Sequence, residues 1–373
     1  MCGIVGIVNR EGGDVDAALL KAMTDTLRHR GPDGEGQYVF GNVGLGHRRL
    51  SIIDVEAGHQ PMSDASGAIW VTFNGEIYNF RELRRELEGH GHTFRTHSDT
   101  EVLVHGYAQW GEDLVRRLRG MFAFGVLDRN RRRLLLARDH FGIKPLVYHE
   151  SARRFSFASE IKAITRDPAV PRELDPEALA DYFECGYVPA PQTIFRDIRK
   201  LLPGHYIVLD LASNAPAVQR RYWRFECSGD LALSESQALE ELDSLLAEAV
   251  RGQLVSDVPL GALLSGGIDS SAVVSAMARE STEQVKTFSV GFDEADYNEV
   301  EYARMVAQRY HTDHYEQTVR PDIAALLPQL VYYFDEPAAD ASAVPTYYVC
   351  RMAREKVTVC LSGDGGDELF AGY

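Results

Sequence analysis

From Ser234 onward, apolar stretches of helical and strand length alternate, and this order restricts the fold more than any other feature of the chain. Ser234-Glu235-Ser236-Gln237 has the form of a capping box and opens a helix with Leu239, Leu242, Leu245, Leu246 and Ala249 on one face. A strand over Val258–Leu264, a helix over Ser270–Ala278, a strand over Lys286–Gly291 and a helix over Asn298–Tyr310 are expected next. A strand near His314–Thr318, two more helices and a strand over Lys356–Leu361 complete the series. Such repetition predicts a parallel sheet covered by helices on both faces.

The first 160 residues have a different texture, mainly β with a few helices. Ile4-Val5 and Ile7-Val8 make a short apolar strand, and Ala17–Arg28 carries Leu19, Leu20, Met23 and Leu27 at helical spacing before Gly31-Pro32. Strands are expected at Val43–Leu45 and Ile69–Phe73, helices at Arg81–Leu87 and Glu101–Trp110, and a hairpin at Met121–Leu127 and Leu134–Ala137 with an arginine-rich tip. Pro168, Pro171 and Pro176 punctuate an interdomain stretch from about 165 to 234, in which Tyr206–Leu211 can still pair with the first domain. With 373 residues, two domains are expected: 1–213, a linker at 214–234, and 235–373.

Thirty-nine basic against 55 acidic residues leave a formal charge of −16, which argues against nucleic acid or an anionic membrane as partner. No apolar run approaches the ~20 residues of a membrane helix. The N-terminus lacks a basic region and a cleavage site. Cys2, Cys185, Cys227, Cys350 and Cys360 are widely spaced, without a disulfide framework or a Cys-x-x-Cys pair. A cytoplasmic enzyme or binding protein is the expectation.

Cys2 follows the initiator directly. Removal of Met1 would place its thiol beside its own α-amine, whose reference pKa of about 7.7–8.0 suits a general base. By position alone, a small residue starting a strand is the simpler reading. Arg49, the segment Asn74-Gly75-Glu76-Ile77-Tyr78-Asn79 at a strand end, and Asp99 within Ser98-Asp99-Thr100-Glu101 at a helix start change that balance. Singly they read as a surface cation, a turn and a cap. Together they supply what an amino-acid amide needs: a guanidinium for the carboxylate, carboxylates for the ammonium, and an amide plus a glycine N–H for an oxyanion.

Ser265-Gly266-Gly267-Ile268-Asp269-Ser270-Ser271 runs from strand to helix. Its glycines admit phosphates, its hydroxyls donate, and the helix N-terminus favours anions. No Walker-type lysine motif is present. Asp269 among such donors implies a bridging Mg²⁺. Ser362-Gly363-Asp364-Gly365-Gly366-Asp367-Glu368 follows the last strand, so Asp364 and Asp367 are expected on the same sheet edge.

These motifs, with Cys2-Gly3-Ile4 and Arg28-His29-Arg30-Gly31-Pro32-Asp33, occur in the order found in the glutamine-dependent asparagine synthetases, which the chain resembles over nearly its whole length. The resemblance implies an α+β N-terminal-nucleophile hydrolase sandwich of four layers (αββα). An α/β parallel-sheet pyrophosphate-loop domain follows, incomplete at its C-terminus because the family continues past Tyr373. It implies Cys2 as nucleophile, Asn74 and Gly75 as oxyanion hole, and Arg49, Glu76 and Asp99 as holders of glutamine. It implies pyrophosphate on Ser265, Gly266, Gly267, Asp269, Ser270 and Ser271, adenosine against Leu263, Val290, Ser362 and Gly363, and Mg²⁺ on Asp269 and Asp367. The implied reaction is ATP-dependent amidation of aspartate with glutamine as nitrogen donor, in a homodimer. Two alternatives stay open: the same chemistry on another carboxylate acceptor, such as a sugar or secondary metabolite, and a glutaminase or nucleotide-binding fragment.

Overall fold

The computed structural model describes residues 1–227, 229, 232–293 and 299–372; Asn298, Tyr373 and positions 228, 230 and 231 of the expected linker lie outside the described residues. The chain divides into two compact units. One holds Met1–Glu226 together with Val331–Ala339, and the other holds Cys227–Leu330 and the stretch from Asp340.

The first unit is built on two six-stranded antiparallel sheets. One runs Ile198–Lys200, Val147–Glu150, Arg154–Ala158, Gly3–Asn9, Val43–Arg49, Gly34–Phe40 in spatial order. The other runs Val218–Arg221, His205–Asp210, Arg133–Arg138, Gly120–Asp128, Ile69–Ile77, Met62–Ser63. The N-terminal strand is apolar without alternation because both its faces are covered. Ile4 and Val8 enter the core between the sheets with Leu45, Leu127 and Phe157. Val5 and Ile7 meet Leu20, Met23 and Ile161 on the outer face. Burial of Phe157, wholly shielded from water, contributes about 2–3 kcal/mol.

Helix Ala17–Asp25 packs on that outer face; the Asp16 side chain caps it by accepting from the Ala18 N–H at 2.8 Å. It ends three residues before the expected Arg28, and Asp25 pairs with Arg48. Helices Thr100–Trp110 and Phe80–Gly89 cover the second sheet, with Leu83, Leu87, Val102 and Leu103 buried. The layers are therefore helix, sheet, sheet, helix: the N-terminal-nucleophile hydrolase arrangement.

The stretch expected to separate the domains is largely built into this unit. Asp175 caps helix Pro176–Cys185, and His205–Asp210 pairs with Arg133–Arg138 on one side and with Val218–Arg221 on the other. Strand Gly34–Phe40 is not evident from the sequence because it begins Gly34-Glu35-Gly36-Gln37, without apolar alternation, and lies half exposed along the sheet edge.

The second unit carries a four-stranded parallel sheet in the order Asp313–Thr318, Lys286–Gly291, Leu260–Leu263, Val359–Leu361. Helices Ile268–Glu280 and Val300–Tyr310 close one face through Val274, Met277, Ala303 and Ala307. Helix Ala343–Arg354 closes the other through Val349 and Ala353 against Phe288. The capping box forms as expected: Ser234 Oγ accepts from the Gln237 N–H, and the Gln237 side chain accepts from the Ser234 N–H at 3.0 Å. The leucine face of helix Glu235–Gln253 is not wholly buried, however. Leu246 and Val250 reach the core, whereas Leu239, Leu242 and Leu245 are exposed.

Candidate active site

Cys2 lies immediately before strand Gly3–Asn9, whose first residue pairs with Arg48, so Arg49 falls at the same end of the neighbouring strand. The Cys2 thiol donates to the Leu50 carbonyl at 3.6 Å, and Arg30 Nε donates to the Cys2 carbonyl at 2.9 Å. Arg30 is in turn held by Glu160 at 2.8 Å. Burial alone would raise the Glu160 carboxyl, but His29, Arg30 and Lys162 bring it down to about 2. Removal from water pushes the Cys2 thiol up, against the terminal amine and Arg49.

The strand Ile69–Ile77 runs through the Asn74-Gly75-Glu76 segment instead of stopping before it. This corrects the expected strand end at Phe73. Strand alternation places Asn74 and Glu76 on one face, and Asn74 pairs with Ala123 of the adjacent strand. Asn74 is fully buried, and neither Oδ1 nor Nδ2 has a hydrogen-bond partner. A buried amide left unsatisfied on both atoms is rare and points to a ligand.

Asp99 does not cap its helix with its side chain. Its Oδ2 instead accepts from the Ile77 N–H at 3.0 Å, which ties the helix start to the end of the Asn74 strand. Burial pushes Asp99 up to about 6 despite hydrogen bonds from Ile77, Thr100 and Ser98. Burial and the Asp99 charge push Glu76 up to about 7, opposed by Lys144 and the terminal amine. Arg49 is fixed by loop carbonyls, Nη1 on Val55 at 2.8 Å and Nη2 on Asp54 at 2.6 Å. Cys2, Arg49, Glu76 and Asp99 thus share one electrostatic environment. His47, on the strand that leads to Arg49, is fully buried and bonds Thr72 Oγ1 at 3.3 Å; burial, with Arg49 adding, takes it down to about 3 and keeps it neutral.

Lys144 and Glu160 carry no expectation from the sequence, and Arg30 stands there only within Arg28-His29-Arg30-Gly31-Pro32-Asp33. Lys144 lies in Phe141-Gly142-Ile143-Lys144-Pro145-Leu146, where a lone cation in an apolar run was the available signal.

In the second unit, strands Leu260–Leu263 and Val359–Leu361 are parallel neighbours, so the loops that follow them emerge side by side. Ser265 Oγ lies 2.9 Å from Ser270 Oγ and accepts from the Gly267 N–H at 3.2 Å; Ser271 Oγ donates to the Gly267 carbonyl at 2.7 Å. Gly266 adopts φ +98°. Helix Ile268–Glu280 has Gly267 as N-cap with no side-chain cap, which leaves its first amides for an anion. The two loops touch: a Cβ on Gly363 would meet Ser270 N at 2.7 Å, and one on Gly366 would meet Asp269 Cγ at 2.5 Å. Asp269 therefore stands against the second loop, next to the residue that precedes Asp367. Ser362 Oγ donates to Asp364 Oδ2 at 2.9 Å. Leu263 and Val290 are partly buried in the cluster around Phe288. Among the described residues no three His, Cys, Asp or Glu side chains gather as a metal cluster. Mg²⁺ does not require one, since it commonly uses one or two carboxylates plus phosphate oxygens.

Two families match: the glutamine amidotransferase domain over residues 1–223 and asparagine synthase over residues 241–373. The chain is 41% identical over 380 residues to asparagine synthetase [glutamine-hydrolyzing] 1 of Bacillus subtilis (strain 168), covering 100% of this chain and 59% of that protein. It is 38% identical to a putative asparagine synthetase of Mycobacterium tuberculosis (strain ATCC 25618 / H37Rv), covering 100% of this chain and 60% of that one. It is 37% identical to a putative asparagine synthetase of Methanocaldococcus jannaschii, covering 100% of this chain and 76% of that protein. This sequence thus spans about three fifths of the length of its Bacillus and Mycobacterium relatives. By these matches over both units, the chain belongs to the glutamine-hydrolysing asparagine synthetase family.

Proposed function

We propose that the protein amidates aspartate to asparagine, using ATP and nitrogen taken from glutamine. The observation that carries this reading is the buried, unpartnered Asn74 amide on the strand whose end is tied to Asp99. After Met1 is removed, the Cys2 amine takes the thiol proton and the sulfur attacks the glutamine side-chain amide. Asn74 Nδ2 and the Gly75 N–H stabilise the oxyanion. Arg49 holds the α-carboxylate while Glu76 and Asp99 hold the α-ammonium. Collapse of the tetrahedral intermediate breaks the C–N bond and expels ammonia, which takes its proton from the Cys2 ammonium, and water then hydrolyses the thioester to glutamate and the free thiol.

The second unit supports the other half of the reaction. The aspartate β-carboxylate attacks the α-phosphorus of ATP, pyrophosphate leaves into the Ser265–Ser271 loop, and ammonia displaces AMP. Asp269 and Asp367 would hold Mg²⁺, which neutralises phosphate charge. Ser362, Gly363, Leu263 and Val290 would border the adenosine, with Asp364 fixing Ser362. The names of the relatives support aspartate as the acceptor.

The test is product identity with aspartate, ATP and glutamine. AMP and pyrophosphate are expected in step with asparagine; ADP and phosphate would overturn the reading. Cys2→Ala should lose glutamine use yet retain activity with free ammonia, and loss of both would argue against separate sites.

Glutamine binding should also weaken as the pH falls. Glu76 at about 7 and Asp99 at about 6 must be ionised to hold the substrate ammonium. Between pH 8 and 6 they take up protons, so KM for glutamine should rise several-fold, mostly below pH 7. Stability runs the other way. A carboxyl whose pKa is raised by folding binds its proton more tightly when folded, so its contribution falls as pH climbs from its unfolded pKa towards its folded one. A KM for glutamine that is flat from pH 8 to 6 would contradict these assignments.

A further inference from the structure

The Met1 thioether lies between two cations. Lys144 Nζ donates to Met1 Sδ at 3.3 Å, and Arg30 Nη2 approaches the same sulfur at 3.8 Å. Lys144 is 5% exposed, on a loop whose amides are gathered by Asp139. Its partner Met1 is the residue whose removal frees the Cys2 amine, so in the processed chain the ammonium would face the space beside that amine. Arg30 cannot drift there, since it is bound to the Cys2 carbonyl and to Glu160.

We infer that Lys144 is a positioning residue for the glutaminase half-reaction, its buried charge beside the N-terminus keeping the freed Cys2 amine in its neutral, basic form. The inference rests on the role proposed above for Cys2. A cation disfavours protonation of a nearby amine, and burial strengthens the effect. The α-amine of Met1, which ends the unprocessed chain, shows the direction of the effect. Burial pushes it down to about 5, against the attraction of Cys2, with Arg30 and Lys144 adding to the fall. The other charged groups around the site are Arg49 on the neighbouring strand, Glu76 and Asp99, Glu160 paired with Arg30, and Asp139, which accepts from the Lys144 N–H. Tyr78 faces Glu76 and stays neutral.

The experiment compares the processed wild-type chain with Lys144→Met and Lys144→Arg. Cys2 alkylation by iodoacetamide is followed against pH, alongside kcat/KM for glutamine. Iodoacetamide has no ammonium for Glu76 to hold, so its profile separates Lys144 from the titration of that carboxylate. In Lys144→Met the alkylation midpoint and the acid limb of kcat/KM should both move up by about one pH unit. Lys144→Arg should stay near wild type. If Lys144→Met fails to fold, Lys144→Gln should give the same displacement. A uniform loss of rate with unmoved midpoints would reduce Lys144 to packing and overturn the inference, as would reactive protein that retains Met1. A displaced alkylation midpoint in protein that hydrolyses no glutamine would leave the influence of Lys144 on the N-terminal cysteine standing but sink the glutaminase reading, and with it the positioning role.

Discussion

Asn74→Ala should lower kcat for glutamine hydrolysis by about 10²–10³-fold, the loss typical for one oxyanion donor, with little change in glutamine KM and no loss of fold. The rate falls because Nδ2 is the side-chain donor proposed for the tetrahedral oxygen, and that oxygen bears its charge only in the transition state. The fold holds for a different reason. Both polar atoms of the amide are buried without partners, and an unsatisfied buried polar group costs about 1–3 kcal/mol. Alanine removes that penalty while opening a small void, so the two changes offset each other. Chemical denaturation should place the variant within about 1 kcal/mol of wild type. Substantial destabilisation would mean that Asn74 is held by structural bonds, and the oxyanion assignment would fail. A raised KM with unchanged kcat would move Asn74 to ground-state binding.

The same residue shows where sequence reading succeeds and where it stops. Asn74 and Gly75 are legible as a site because they follow an apolar strand and, with Arg49 and Asp99, supply what an amino-acid amide needs. That the strand continues to Ile77 was not legible, because pairing with Gly120–Asp128 decides it. Asp99 looked like a helix cap, since an acidic residue after serine and before a helix caps by local geometry. Its carboxylate instead satisfies the Ile77 N–H, 22 positions away in sequence. In the second unit the strand–helix alternation exposed the parallel sheet, and glycine, serine and aspartate marked the loop. The contact of Gly363 and Gly366 with the start of helix Ile268–Glu280 depends on strand order, which periodicity does not encode. The leucines at 239, 242 and 245 show the converse, since helical spacing reports amphipathicity and not what lies opposite.

Asp139→Ala should destabilise the first unit by about 3–5 kcal/mol, the range for breaking a buried polar network. Asp139 is 1% exposed and sits at the turn after strand Arg133–Arg138. Its Oδ2 accepts from the Phe122 and Lys144 N–H groups at 3.1 and 2.9 Å, and its Oδ1 from Phe141 and Ile143 at 3.2 and 2.9 Å. One carboxylate therefore satisfies four backbone donors, two of them fully inside. Alanine strands all four, and at about 1 kcal/mol or more for each buried one, the sum reaches several kcal/mol. Asp139→Asn keeps a single acceptor oxygen and turns an N–H₂ towards the other donors, so it should fall between wild type and alanine. Trp70, Trp110 and Trp223 all belong to the first unit, so fluorescence-monitored urea unfolding reports on that unit. A midpoint shift worth less than about 1 kcal/mol would show that water or a relaxed loop replaces the carboxylate. The Phe141–Lys144 turn would then lack the rigidity needed to hold an ammonium beside the N-terminus.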